Sequence, residues 1–420
     1  MVELDRLMHI LFLSDNFPPE VNAPASRTYE HCREWVRLGH KVTVVTCAPN
    51  FPKGVVFKGY RNRLWQREII DGIDVIRVWS YVTANEGFTK RVLDYISYAA
   101  TATIASLFVR RCDVVIGTSP QFFAALAAWA VGALKRIPFI FELRDLWPES
   151  IRAVGAMQQS PIIEWLERIE LFLYRRAARV VSVTHAFREN LISRGIDPQK
   201  IRVVTNGVDL ERFQPAAKDA QLVSELELQG CFVAGYIGTH GMAHGLDTIL
   251  DAAQMLQARP GGEAFRFILL GDGAEKAKLQ ARAEREGLRN VAFIGTVPKA
   301  EVARYWSLLD VSIIHLRATD LFQTVIPSKI FESMGMGIPL AHGVAGESAR
   351  IVTESNAGIC FKSEEPLELV ELLENLQQYP EELAELRQCC LKAAPRFDRK
   401  QLAAEMLAII LEAKRPVRPG

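Results

Sequence analysis

The sequence predicts an α/β protein of two doubly wound, Rossmann-like parallel-sheet domains with a cleft between them. Three observations lead there. Short β-rich apolar runs alternate with helix-length segments, the pattern of a parallel sheet covered on both faces. That pattern stops near the middle of the chain and starts again after a cluster of turn residues. The length of 420 residues suits two domains, and 49% hydrophobic with 24% charged residues is ordinary globular composition.

Taken in order, Met8–Leu13 (MHILFL) reads as a buried strand and Ala25–Leu38 as a helix stopped by Gly39. Lys41–Cys47, Val75–Trp79, Asp113–Gly117, Pro138–Glu142 and Val180–Val183 read as further strands. Arg91–Arg111, Gln121–Leu134 and Pro161–Ala177 are the helices between them. Turn residues then gather at Asn206–Pro215, which places the joint there. In the second half Cys231–Ile237 is a strand, and Gly238-Thr239-His240-Gly241 turns the chain into a helix, Leu246–Leu256. Phe265–Leu270, Val291–Ile294, Val311–Ile314 and Ile338–Ala341 continue the sheet. Helices are expected near Pro366–Gln377, Glu381–Ala393 and Arg399–Leu411. The expected division is 1–210, 211–398 and a C-terminal helix and tail, 399–420, packing back on the first domain.

The formal net charge of +1 argues against a nucleic-acid binder by bulk charge. It hides an asymmetry: residues 1–210 carry 27 Lys+Arg against 21 Asp+Glu, and residues 211–420 carry 23 against 28. A basic first half suits an anionic partner such as phosphate or an acidic lipid surface, as well as scattered solvated charge. Seven cysteines without a CxxC pair form no disulfide framework and read as cytosolic. The short first apolar run, Leu7–Leu13, predicts no cleavable leader. The longest uncharged stretch, Tyr95–Val109, falls short of a bilayer span. Paired cations flank it, Lys90-Arg91 and Arg110-Arg111, which suits a helix lying on an anionic membrane face.

In parallel sheets ligands bind beyond the carboxyl ends of the strands, so the residues just after each strand are the candidates. After the first strand come Asn16 and, in the first turn of the next helix, Arg27, a cation at the end the dipole disfavours. Glu142, Arg144 and Asp145 follow another strand, in Glu142-Leu143-Arg144-Asp145-Leu146-Trp147-Pro148-Glu149. Carboxylates there accept sugar hydroxyls or a proton, or pair with Arg144 in a purely structural network. Gly238, Thr239, His240 and Gly241 resemble a generic pyrophosphate cradle, with His244 close behind, and Gly271 and Asp272 end a second strand in the same manner. The sharpest local pattern is Pro327-Ser328-Lys329-Ile330-Phe331-Glu332. Ser328 suits an N-cap, Lys329 is again a cation at the start of a helix, and Glu332 shares its face about one turn on.

These residues together resemble the retaining glycosyltransferases of the GT-B fold, family four, the glycosyl transferases group one, over nearly the whole chain. The resemblance rests on Gly39-His40-Lys41-Val42, on Asn206-Gly207-Val208-Asp209 with Phe213 and Pro215, on Leu270-Gly271-Asp272-Gly273, and on Glu332-Ser333-Met334-Gly335-Met336-Gly337-Ile338-Pro339. The stretches PPEVNAPASR, ELRDLWPES and VIPSKIFE are most similar to WbuB-like fucosamine transferases of surface-polysaccharide gene clusters. Three features depart from the family. Thr324 stands eight residues before Glu332, where the family has its first Glu. Thr239 and His244 lie nearest the places of an Arg and a Lys. Ala23 and Pro24 lie near the place of a double glycine.

The resemblance implies a UDP-sugar donor, an N-acetylated hexosamine, on the C-terminal domain and a polyprenyl-diphosphate-linked glycan as acceptor on the N-terminal one. It implies retention, no cofactor and no metal, and a cytoplasmic enzyme attached peripherally to the membrane. Glu332 would hold the ribose, and Ser328, Lys329 and the Gly238–Gly241 loop with His244 the phosphates. Glu142 and Asp145 would orient the acceptor beside Asn16, Arg27 and Arg144. Two other readings share the fold: a UDP-N-acetylglucosamine 2-epimerase, and a nucleotide-sugar-binding subunit without activity.

Overall fold

A computed structural model of the chain describes residues 7–51, 53–83, 88–119, 121–146 and 161–414. Trp147, Pro148 and Glu149 of the acidic loop lie outside the described residues. The chain forms two compact units, residues 1–205 with 400–420, and residues 206–399. Residues 206–210 therefore go with the second unit, not the first. The reason is burial: Val208 sits in the second unit's core and bridges to Asp398.

The first unit holds an eight-stranded sheet. Its strands are β1 (His9–Leu13), β2 (Lys41–Cys47), β3 (Trp65–Ile70), β4 (Ile73–Val78), β5 (Val114–Thr118), β6 (Phe139–Leu143), β7 (Arg179–Ser182) and β8 (Ile201–Val203). The order is β3-β4-β2-β1-β5-β6-β7-β8. All neighbours are parallel except β3, which runs antiparallel to β4. The expectation of a wholly parallel sheet is corrected at that edge: WQREII alternates between exposed and half-buried residues and carries no continuous apolar run.

The helix Ala23–Arg37 starts at Asn22, whose side chain accepts the Ala25 amide at 2.9 Å. Its Trp35 donates from Nε1 to the Ala403 carbonyl at 2.8 Å, and Leu402, Met406 and Ile410 of the helix Arg399–Lys414 share a core with Ile10, Phe12 and Trp35. The last helix is thus part of the first unit. On the other face the helix Phe88–Phe108 buries Tyr98, Ala102 and Ala105 against the sheet, and the helix Phe122–Lys135 buries most of its length.

The second unit holds six parallel strands: β9 (Phe232–Ile237), β10 (Phe265–Leu270), β11 (Val291–Ile294), β12 (Val311–His315), β13 (Leu340–Gly343) and β14 (Gly358–Cys360), in the order β11-β10-β9-β12-β13-β14. The strand order reverses between β1 and β5 in the first sheet and between β9 and β12 in the second. Such reversals open the crevices in which doubly wound sheets bind ligands. The β9–β12 ladder joins Val311 with Ala234 and Ser312 with Gly235, and the strands then part toward their carboxyl ends.

Candidate functional site

In the second unit, the loop after β9 and the helix Lys329–Met336 flank this crevice. Glu332 is buried, and its Oε2 accepts a 2.8 Å bond from Lys329 Nζ, one turn away. Lys299 belongs to the same group. Burial lowers its pKa, Arg212 and Lys329 push the same way, and Glu332 and Asp209 oppose them. Lys299 thus feels two further cations and two carboxylates, of which Lys329 and Glu332 are in contact with each other. At the helix start the Ile330 and Phe331 amides close onto the Pro327 and Ser328 carbonyls. Among the described residues the Ser328 and Lys329 amides have no partner. An anion at this end of the helix would meet those amides, the dipole and the Lys329 charge.

Two details differ from the sequence reading. Ser328 precedes the helix with helical backbone angles, and its hydroxyl caps no amide. Lys329 is already paired with Glu332, so a phosphate would share its charge with that carboxylate.

The glycine-rich loop is also more committed than expected. The Gly238 amide bonds to the Leu270 carbonyl and the His240 amide to that of Asp272, both at 2.9 Å. That leaves Thr239 and Gly241 as its amides for a ligand. The loop leads into a short 3-10 turn, Met242–His244, and the helix begins only at Asp247. Gly271 shows why glycine is needed here. Its φ is +145°, and a Cβ would lie 1.8 Å from the Gly238 carbonyl oxygen. Asp272 caps the turn by accepting the Gly273 amide at 2.8 Å.

The His240 side chain is fully buried, packed between the rings of Tyr236 and Phe293, and burial lowers its pKa to about 4. It offers a ligand no exposed surface. His244 lies against Tyr236, and burial lowers its pKa as well, so near neutral pH it offers a hydrogen bond and not a charge.

In the first unit, Arg27 and Glu142 are not a free cation and a free base. Arg27 lies in the second turn of its helix and is 3% exposed. Its Nε donates to Glu142 Oε1 at 2.9 Å, Nη1 to the Thr205 carbonyl at 2.7 Å and Nη2 to the Val204 carbonyl at 3.0 Å. It ties the helix Ala23–Arg37 to β6 and to the segment after β8. Burial alone would raise the Glu142 carboxyl, but the Arg27 and Arg144 charges outweigh it and hold its pKa at about 2. Such a group keeps its charge and takes up no proton near neutrality.

Arg144 donates to the Pro24 carbonyl at 3.2 Å, and burial lowers its pKa to about 10. Ser119 Oγ accepts the Arg144 and Asp145 amides at 2.7 and 3.2 Å, which fixes this turn beside β5. Asn16 Oδ1 accepts a 2.6 Å bond from Asn22 Nδ2. Arg27, Glu142, Arg144 and Asp145 thus adjoin one another, with Asn16 in the neighbouring loop after β1.

Sequence reasoning missed Lys299 and Arg212 as members of the cationic group. It also missed the carboxylates Asp15, Glu20 and Asp94, which line a cavity of about 270 Å³ in the first unit. Asp15 lies two residues beyond the end of a buried strand, and that placement was the available signal.

Two units of this kind, each with polar residues at its topological switch, are the architecture of enzymes that handle nucleotide-linked groups. A family model described as a glycosyl transferase 4-like domain matches residues 22–207, and one described as glycosyl transferases group 1 matches residues 231–378. Between them they span most of the chain, and the chain belongs to the group-1 glycosyltransferases.

It is 25% identical over 342 residues to a protein of Escherichia coli K12 named as a colanic acid biosynthesis glycosyl transferase, WcaI, covering 79% of this chain and 82% of that one. It is 24% identical over 383 residues to the GDP-mannose-dependent alpha-mannosyltransferase of Mycobacterium tuberculosis, covering 89% and 90%. Among solved structures, HepE of Anabaena in complex with UDP-glucose superimposes with a TM-score of 0.71 at 18% identity, covering 96% of this chain and all of that one. That likeness is one of fold.

Proposed function

We propose that the protein moves a sugar from a nucleotide diphosphate to a lipid-linked glycan in surface-polysaccharide synthesis. The donor in this reading is a UDP-linked N-acetylated hexosamine, the acceptor a polyprenyl-diphosphate glycan, and the product retains the anomeric configuration. The observation that carries it is the Lys329–Glu332 pair at a helix amino end, with Lys299 within its electrostatic reach. Glu332 accepts the two ribose hydroxyls. The cations and the Ser328 and Lys329 amides stabilise the charge that grows on the leaving diphosphate, which this reading assigns to protein groups and not to a metal. The names of the relatives support the class, with polysaccharide synthesis in one and a nucleotide-sugar donor in another.

Asp145 faces the acceptor in this reading, with Arg144 and Asn16 beside it, while Glu142 and Arg27 hold the loops in place. The first unit rests on the inner membrane face through the helix Phe88–Phe108. That helix exposes Leu93, Ile96, Ile104, Leu107 and Phe108, and Phe108 packs edge-on against the exposed Trp65. Among the described residues no helix is long and apolar enough to cross a membrane, and in this reading the attachment is peripheral.

The test is incubation with a panel of UDP- and GDP-sugars, with and without a polyprenyl-diphosphate glycan. Acceptor-dependent transfer from a UDP-N-acetylhexosamine, with retained configuration by NMR, is expected. Conversion of the donor to an epimer without acceptor would overturn the reading.

A further inference from the structure

From Thr239 to His244, every backbone carbonyl of the loop after β9 accepts a hydrogen bond from the second unit itself. Tyr236 Oη donates to Thr239 at 2.9 Å, the Glu275 amide to His240 at 2.9 Å and the His244 amide to Gly241 at 3.0 Å. The next three carbonyls are taken by the end of β12. Arg317 Nε donates to Met242 at 2.7 Å, the Arg317 amide to Ala243 at 2.9 Å and His315 Nδ1 to His244 at 2.7 Å. In a trans peptide the N–H points opposite to the C=O. Anchoring the His240, Gly241 and Met242 carbonyls therefore turns the Gly241, Met242 and Ala243 amides away from those anchors. Among the described residues these three amides make no hydrogen bond. The loop holds no lysine or arginine, so its amides are the positive groups it offers an anion.

His315 is 1% exposed and both its ring nitrogens are used. The Glu364 amide donates to Nε2 at 3.0 Å, so Nε2 is the acceptor and Nδ1 carries the hydrogen given to His244. Glu364 follows β14 at φ +62°, a left-handed angle uncommon for a residue with a side chain. Its Oε2 accepts the Ala318 amide at 2.9 Å, and its Oε1 lies 3.5 Å from Arg317 Nη1. That pair is solvent-exposed and adds little, so what Arg317 contributes is its bond to Met242. Gly245, at φ +56°, lets β12 come this near: a Cβ there would lie 3.1 Å from His315 Cε1 and 3.2 Å from Arg317 Cγ.

We propose that Arg317 and His315, set in place by Glu364, are positioning residues for the donor's diphosphate. They hold the turn Met242–His244 with its carbonyls drawn back to β12 and its unpaired amides left to the phosphate oxygens. The inference rests on the transferase reading above, which puts the diphosphate at this loop. Arg317 acts through the Met242 carbonyl and not as a charge on the phosphate.

Two pairs of substitutions separate those roles. Arg317→Gln keeps an N–H donor at the place of Nε and removes the charge, while Arg317→Met keeps the length and removes both. His315→Asn keeps a donor at the place of Nδ1, and His315→Leu keeps none. The experiment is isothermal titration of UDP and of uridine into wild type and the four variants, with hydrogen exchange of segment 238–246 measured without ligand. Arg317→Met and His315→Leu should bind UDP about three- to tenfold more weakly, the scale of one lost hydrogen bond. Both should keep wild-type affinity for uridine, which lacks the diphosphate, and both should exchange faster in 238–246. Arg317→Gln and His315→Asn should bind UDP within about twofold of wild type, because the donor is retained. Arg317 is partly exposed, so its two variants carry the test even if a His315 variant fails to fold. Wild-type UDP affinity in Arg317→Met would overturn the proposal. So would an Arg317→Gln as weak as Arg317→Met, which would make Arg317 a charge on the phosphate. So would unchanged exchange, or a loss of uridine as large as that of UDP in the Arg317 variants. Wild type that binds neither UDP nor uridine, with exchange in the expected order, would sink the donor reading and spare the anchoring of the turn.

Discussion

Glu142→Gln removes one charge of the buried pair with Arg27 and keeps the side chain's size. The two side chains are 1% and 4% exposed, so water cannot replace the lost partner. Glu142 is held at about 2 against the ordinary 4.5 of a glutamate. By linkage that difference corresponds to about 3 kcal/mol favouring the folded first unit near neutral pH. Stripping one partner from a buried ion pair costs ~3–5 kcal/mol, the same range.

For a unit of about 200 residues, each kcal/mol moves the melting temperature by ~2–4 °C, so the first unit should melt about 6–20 °C lower. The pH dependence follows from the direction of the shift. The folded pKa lies below the unfolded one, so the stabilisation is present above about pH 4.5 and disappears as pH falls through about 2. Wild-type protein should lose this stability between about pH 5 and 2, and Glu142→Gln should lack that slope. Differential scanning calorimetry across that range is the assay. A variant melting within ~2 °C of wild type would refute the reasoning. A variant with unchanged melting and greatly reduced turnover would return Glu142 to the chemistry.

Gly271→Ala places a methyl group against the Gly238 carbonyl at a backbone angle that disfavours any side chain, so it should displace both loops and weaken UDP binding, checked by isothermal titration. Lys329→Ala should lower turnover more than it raises the Michaelis constant, because the leaving-group charge develops in the transition state; steady-state kinetics with unchanged turnover would contradict this. In flotation assays the protein should bind anionic liposomes at low salt and leave them at high salt, and binding indifferent to both lipid charge and salt would contradict an interfacial helix.

The sheets were largely legible in the sequence because strands covered on both faces read as apolar runs. Lys41–Cys47, Phe265–Leu270 and Val291–Ile294 coincide with β2, β10 and β11. The edge strand β3 was not legible, since Gln66, Arg67 and Glu68 in its middle leave no apolar run, and β8 and β14 are only three residues long. The site was legible in its motifs and not in its partnerships. Arg27 and Glu142 are 115 positions apart, and no local spacing shows that one will neutralise the other. Lys299 joins Glu332 in the same way, through the fold of the second unit. The glycines after β9 and β10 looked like a phosphate cradle because glycine allows close approach. Part of what approaches is the other loop's backbone.

The central claim is that Glu332 and the cations around it receive the donor nucleotide. Isothermal titration of UDP into wild type and Glu332→Ala tests it most directly. Hydrogen bonds to a buried charge contribute ~1.5–3 kcal/mol each, so the variant should bind UDP at least about tenfold more weakly. Its melting temperature should stay near that of the wild type, since the carboxylate's ion-pair partner, Lys329, is partly exposed. Equal UDP affinity in the two proteins would contradict the account.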